Sequence, residues 1–281
     1  MKQILTVLFI SLCYSLTANA QELNLKMRAV NARGGNAFAR SIADSSLTLE
    51  DRENRIYDEL KSGNVPDFLR NLKKITQTIK IDQTTYTLAF FVLPDYLAIG
   101  SNDDYFYVPM TPILAQRVAT LLKCMLPTRK MVDLIYQEAS IKLEPLPIPP
   151  TKAMTTVPIF MVHNETLKNQ ILPYNARHRN GELTAGHKKD VVISNKIYSE
   201  STPKVVIYGW HKLDGKAIQP LYGKHTNTWA DYSHGIRLVW QKIIVNGKQT
   251  TLKKVLAHPV LAQLLSDEGI IKQPYYPITG Y

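Results

Sequence analysis

Cysteine is nearly absent from this 281-residue chain: there are two, Cys13 and Cys124. If the chain loses a leader containing Cys13, Cys124 stands alone, so a stabilising intramolecular disulfide is excluded and a single thiol remains. Histidine is missing from the first 162 residues, and all seven lie at or beyond His163. Chemistry that relies on imidazole therefore belongs to the C-terminal half. Acidic residues are outnumbered, with 23 Asp and Glu against 34 Lys and Arg and a formal charge of +11. The basic residues are spread along the chain rather than gathered in one block, which favours anionic partners such as an envelope polymer, nucleic acid or acidic lipid. No internal repeat or low-complexity tract is present. No apolar run reaches the roughly 20 residues that cross a bilayer, so no transmembrane segment is expected.

At the N-terminus, Lys2 precedes the apolar run Ile4 to Leu12, followed by Ala18-Asn19-Ala20, the small-x-small pattern of signal peptidase sites. Residues 1–20 read as a cleavable signal peptide ending before Gln21. The rest, 21–281, reads as a single secreted or periplasmic domain.

Along that domain, Ser46 to Gly63 has a cap residue, an acidic first turn at Glu50 and Asp51 and a terminal Gly, which predicts a helix. Pro66 to Lys73 predicts a second, shorter one. Residues 75–100 are rich in Thr, Ile, Tyr, Phe and Val around the turn formers Asp82-Gln83, as in antiparallel strands. Thr111-Pro112 and Pro127-Thr128 each open a helix, and the prolines of 144–150 form an extended connector between potential subdomains. Beyond it we expect a helix over 164–171, strands near 191–194 and 205–208, an apolar run over 236–245, a hairpin turning on Asn246-Gly247, a return strand over 248–253 and a last helix over 259–265. The fold class is α+β, a mainly antiparallel sheet with helices packed around it.

Three stretches gather chemistry-bearing side chains: Gly186-His187-Lys188-Lys189-Asp190, Tyr208-Gly209-Trp210-His211, and the segment from His225 to Arg237 that includes Trp229, Asp231, Tyr232 and His234. Each histidine sits at the edge of an expected strand beside Gly or small polar residues, where a loop can come close to a ligand. His187, Asp190, His211, His225, Asp231 and His234 form the catalytic pool. One use of them is a zinc site drawn from His187, His211, His225 and His234 with an open position for water. No His-Glu-x-x-His or His-x-His pair marks such a site. Another is metal-free acid–base catalysis with His234 oriented by Asp231 or Asp190. Cys124 would add a thiolate nucleophile if a histidine met it in space, although a free Cys is often a small buried hydrophobe. Arg237 and Lys188 suit a carboxylate, phosphate or acidic sugar, and Trp210, Trp229, Tyr222 and Tyr232 suit sugar rings.

The block Ser233-His234-Gly235-Ile236-Arg237-Leu238 resembles the active-site signature of the L,D-transpeptidases, secreted enzymes that crosslink peptidoglycan, and Tyr208 to His211 resembles that family's earlier His-containing strand. The likeness covers some thirty residues. It implies cell-wall chemistry with His234 and Arg237 at the site. The family's nucleophilic Cys should follow Gly235, where this chain has Ile236. Residues and resemblance together lead to the expectation of an exported hydrolase acting on a cell-envelope or extracellular polymer. The competing expectation is a non-catalytic module that binds glycan or peptidoglycan, and a secreted nuclease is a third reading suggested by charge alone.

Overall fold

The computed structural model describes residues 21–281. The expected leader, with Cys13, lies outside the described residues. Strands are β1 (Gln21–Glu22), β2 (Asn71–Ile81), β3 (Thr84–Val92), β4 (Ala98–Gly100), β5 (Tyr105–Tyr107), β6 (Cys124–Met125), β7 (Ile141–Lys142), β8 (Thr184–Ala185), β9 (Lys189–Val191), β10 (Ile207–His211), β11 (Ala217–Tyr222), β12 (His234–Gly235), β13 (Val239–Trp240), β14 (Lys242–Val245) and β15 (Lys248–Thr251). Helices are α1 (Gly35–Ser41), α2 (Leu49–Ser62), α3 (Pro112–Leu121), α4 (Arg129–Glu138), α5 (Val157–Ile171), α6 (Asn175–Arg179) and α7 (Leu252–Leu256). The class is α+β, with antiparallel sheets and helices packed around them. Among the described residues no helix is long and apolar enough to cross a membrane.

Local chemistry explains most boundaries. Thr48, Thr111 and Thr128 each accept a hydrogen bond from a backbone N–H in the first turn of α2, α3 and α4, relieving donors that a helix start leaves unpaired. The helix expected from Ser46 thus begins at Leu49 and stops at Gly63, which takes the left-handed conformation. The short helix expected over 66–73 is a single 3-10 turn, Asp67–Leu69, after which Asn71 already enters β2. The Thr- and Ile-rich alternation of 71–81 wins there, because β2 pairs with β1 at Asn71 and Leu72 and with β3 from Lys73 to Ile81. The helix expected over 164–171 is longer, beginning at Val157, with Pro158 in its first turn. The return strand of the Asn246-Gly247 hairpin ends at Thr251, whose side chain caps α7. The helix expected at 259–265 is only a 3-10 turn, Leu261–Leu264.

Two sheets matter for the site. The larger one runs β1-β2-β3-β13-β6, with the β14–β15 hairpin joined to β3. The smaller one runs β11-β10-β9-β12 and contains all three of the chemistry-bearing stretches. β12 lies parallel to β9, and β10 antiparallel to it, so His234, Lys189 and Gly209 fall on one row and Gly235, Asp190 and Tyr208 on the next. Leu93 N–H donates to the Leu238 carbonyl and Leu97 N–H to the Ile236 carbonyl, stitching the segment after β3 to the segment after β12.

Helix α1 packs its first residue directly onto a strand. A Cβ on Gly35 would stand 2.4 Å from the Phe106 amide nitrogen, closer than van der Waals contact allows. Gly35→Ala should therefore lower stability by about 1–3 kcal/mol, the usual cost of overpacking a core. Urea unfolding measures it, and an unchanged midpoint would refute this account of the α1–β5 contact.

Candidate functional site

Successive side chains of a strand point to opposite faces, and the small sheet therefore has two chemically distinct sides. On the side covered by α4, β10 is irregular. Ile207 pairs with Tyr222 and Gly209 with Gln219, so the register slips by one residue. Gly209 (φ +108°) and Trp210 (φ +57°) both lie in the left-handed region. A large aromatic residue rarely adopts that conformation, and such strain persists only where surrounding structure holds it. A bulge of this kind re-aims the side chain that follows it. Here that side chain is His211.

His211 meets α4. Its Nε2 lies 3.0 Å from Asp133 Oδ1, and the Tyr208 hydroxyl donates to the same oxygen at 2.8 Å. A carboxylate oxygen that already accepts from Tyr208 accepts again here, so Nε2 carries the hydrogen, and Nδ1 has no hydrogen-bond partner among the described residues. The ring stacks on Tyr136 at 4.5 Å with planes 16° apart. Tyr136 is itself fixed by donating to the Lys212 carbonyl at 2.6 Å. These groups line an open cleft of about 510 Å³ together with Lys142 and Asp214. Burial and the hydrogen bond to Asp133 push the Tyr208 phenol up, so it remains a donor at neutral pH. Behind the cleft, Asp190 is buried and raised to about 6 by that burial, against the opposing pull of Arg237. Tyr96 donates to its Oδ2 at 2.8 Å.

The other side holds Lys189, Asp231 and His234 beneath half-exposed His225 and Trp229. Asp231 Oδ1 accepts from the Ser233 amide at 2.8 Å and the Ser233 hydroxyl at 2.5 Å. Burial would raise this carboxyl, but His234 and Ser233 bring it down to about 2. His234 Nε2 is 3.8 Å from Asp231, beyond hydrogen-bonding distance, and neither ring nitrogen finds a protein partner among the described residues. Burial lowers His234 to about 4. His225 stacks on Trp229 at 4.5 Å with planes 10° apart, and Lys189 Nζ sits 4.7 Å over the Trp210 ring.

The remaining residues of the sequence pool go elsewhere. His187 faces Asp95 at 3.2 Å in the interior, where Asp95 also accepts from the Tyr107 hydroxyl at 2.5 Å and pairs with His178 at 2.7 Å. Burial opposes ionisation of Asp95, and His187 and His178 overcome it, holding the carboxyl well below the usual range. Lys188, expected at a ligand, is buried; it donates to the Tyr232 carbonyl at 2.6 Å and to His163 Nδ1 at 3.2 Å, and burial lowers it to about 7. Arg237, expected at a substrate anion, is wholly interior and donates to the carbonyls of Leu93 at 3.0 Å and Thr184 at 2.7 Å. Trp210 and Tyr232 are buried too, bonded to the His187 carbonyl and to Ile148 of the proline connector. Tight packing thus removes Lys188, Arg237, Trp210 and Tyr232 from direct ligand contact. Cys124 lies in a separate cleft that no histidine lines, and burial pushes its thiol up, away from thiolate. The thiol route is not supported by this placement.

His187, His211, His225 and His234 do not converge. Among the described residues no group of three His, Cys, Asp or Glu side chains could hold a metal ion. The zinc expectation therefore lacks a donor set. Asp133 and Asp95, which position the histidines, were missed in the sequence because each lies on an element far along the chain from its partner. Comparison of the chain with protein-family models, with curated proteins and with solved structures finds no match.

The buried imidazoles set an acid limit to stability. His234 at about 4 and His163 at about 2 are both lowered by burial from 6.5, so below pH 6.5 the unfolded chain binds protons that the folded chain excludes. Asp190, raised to about 6 from 3.8, opposes this with one proton taken up by the folded state. Two imidazoles outweigh one carboxyl, and stability should fall as pH drops from 6.5 toward 4. His234→Gln should flatten that fall by close to one proton, roughly 1.4 kcal/mol per pH unit at most. Urea titrations at pH 7, 6 and 5 read the slope, and identical slopes for variant and parent would show that His234 is not buried neutral.

Proposed function

We propose that this chain is an exported hydrolase acting on a cell-envelope or extracellular polymer, with His211 and Asp133 as its acid–base pair. The observation that carries the reading is the locked imidazole in the wall of the open cleft, nearly buried at 3% exposure: Nε2 tied to Asp133, the ring stacked on Tyr136, and Nδ1 without a protein hydrogen bond among the described residues. A histidine held by an orienting carboxylate at the wall of an open cleft supports a general-base role. The leader-like residues 1–20 and the basic surface support an exported protein that meets anionic polymers.

The resemblance to L,D-transpeptidases narrows the bond to a peptide linkage of the cell wall. Ile236 follows Gly235 where that family has its Cys, and Ile236 is buried. Water is then the attacking group. Its oxygen bonds to the amide carbon while one proton passes to His211 Nδ1. The carbon–nitrogen bond breaks, and His211 returns the proton to the departing amine. Products are a carboxylic acid and an amine, and no acyl group stays on the enzyme.

A second reading, a non-catalytic glycan-binding module, is favoured by the half-exposed stack of His225 on Trp229, with Tyr222 5.4 Å from His225. Aromatic faces of this kind suit sugar rings.

Incubation of the 21–281 chain with insoluble peptidoglycan separates the two. The hydrolase releases soluble fragments with new amino termini. His211→Ala and Asp133→Asn should each lower that release by about 10² to 10⁴ with folding and polymer binding intact. Sedimentation with the polymer and no fragment release would leave the binding module, and full release by His211→Ala would discard His211 as the base.

A further inference from the structure

The cleft beside Cys124 plays no part in the proposed hydrolysis and has a chemistry of its own. It encloses about 600 Å³, within the roughly 300–1,000 Å³ typical of small-molecule sites. The end of α3, strand β6 and residue Thr251 form one wall, and residues 274–278 form the other. That second wall is anchored. The Tyr276 hydroxyl donates to the Val192 carbonyl at 2.6 Å, the Tyr276 amide to Gln116 at 3.0 Å, and the Tyr198 hydroxyl to the Tyr275 carbonyl at 2.6 Å. The cleft is therefore built into the fold.

Its apolar lining is Cys124, Met125, two prolines and the faces of Tyr275 and Ile278, beside the polar Gln116, Thr120, Gln241 and Thr251. Tyr275 and Ile278 are 41% and 58% exposed, unusual for large apolar side chains on a segment otherwise held down. Lys123 and Lys253 stand in the lining, and no Asp or Glu does. Lys253 Nζ lies 6.0 Å over the Tyr275 ring and forms no ion pair with a carboxylate among the described residues. Apolar walls favour an alkyl body, while two ammonium groups without acidic neighbours favour a negative head.

We propose that this cleft binds a single-chain amphipathic anion, with its carboxylate or phosphate head between Lys123 and Lys253 and its alkyl chain against Met125, Tyr275 and Ile278. Such a ligand would cover the apolar surface that the tail leaves open. It would also neutralise a pair of like charges.

Calorimetric titration of the 21–281 chain with dodecanoate tests this, with dodecanol as the neutral counterpart. One saturable dodecanoate site per chain is expected, weaker at high salt and weaker for dodecanol. Lys123→Glu with Lys253→Glu should reduce affinity roughly tenfold or more, given what partly exposed ion pairs contribute. Lys248→Glu with Lys254→Glu makes the same change in net charge outside the cleft and should leave affinity unchanged. Tyr275→Ala should weaken dodecanoate and dodecanol alike. Equal losses for the two lysine pairs, or no saturable dodecanoate site, would overturn the proposal. So would binding confined to phosphatidylglycerol vesicles, which would assign the charge to a membrane surface instead. Polymer hydrolysis should persist in all these variants, so failure here is distinguishable from failure of the His211 reading.

Discussion

The buried guanidinium of Arg237 is the tie on which the arrangement of the two sheets depends. Its side chain is almost fully enclosed, packs 4.2 Å over the Tyr96 ring, lies 3.8 Å from Asp190 and donates to the carbonyls of Leu93 and Thr184. Those partners come from two stretches remote in sequence, residues 93–96 just after β3 and residues 184–190 that span β8 and the start of β9. A buried cation is tolerated only when its donors are used and a countercharge is close. Both conditions are met only if β12 lies against β9 and the segment after β3 passes beneath it. The backbone bonds from Leu93 to Leu238 and from Leu97 to Ile236 repeat the same constraint without charge. Removing Arg237 alone would leave Asp190 and two carbonyls facing each other in the interior, which is why replacing one member of such a set costs more than the set contributes.

From that tie follows the division of labour between the two faces of the small sheet. Asp190 and Tyr208 occupy the face toward α4, and the irregularity at Gly209 and Trp210 brings His211 to that face as well. A Cβ on residue 209 would lie 3.5 Å from His211 Nδ1, and φ +108° disfavours any side chain there, so Gly209 suits both the backbone and the open nitrogen. The opposite face keeps His234, Lys189 and Asp231 under an aromatic cover. Its histidine is neutral, enclosed and 3.8 Å from its carboxylate, the wrong state and distance for a pair that exchanges protons with a polymer outside. The same residue types thus give a histidine at the wall of an open cleft on one face, its side chain only 4% exposed, and an internal polar cluster on the other.

Much of the fold was legible because local rules decide it. Thr111 and Thr128 announced their helices, Asn246-Gly247 announced its hairpin, and the β-branched alternation after Ile75 announced β2 and β3. The errors fell where tertiary pairing outweighed a local signal, as at 66–73, where the turn signal of Pro66 gave way to pairing of β2 with β3. The site was legible in part. The absence of histidine before residue 163 pointed to the C-terminal half, and the small sheet takes a strand from each of the three chemistry-bearing stretches there. What sequence spacing does not carry is which carboxylate meets which imidazole. Asp133 sits on a helix 78 residues from His211, and its one visible mark is that it interrupts the apolar face of α4. Arg237 and Lys188 were misplaced for a related reason: charge in a sequence reads as surface until its partners are known.

In the proposed reading, Ile236 after Gly235 removes the nucleophile that the resembled family uses. A thiolate nucleophile makes an acyl-enzyme, and a transferase needs that intermediate to hand the acyl group to an amine. Ile236 cannot form one, and its own amide segment is committed to the core through the Leu97 bond. The remaining thiol, Cys124, is held protonated in a different cleft. Under the proposed reading, a His–carboxylate pair without a covalent nucleophile activates a small hydroxyl donor, and in an open, polar cleft that donor is water. The proposed reading is therefore one of cleaving linkages rather than forming them.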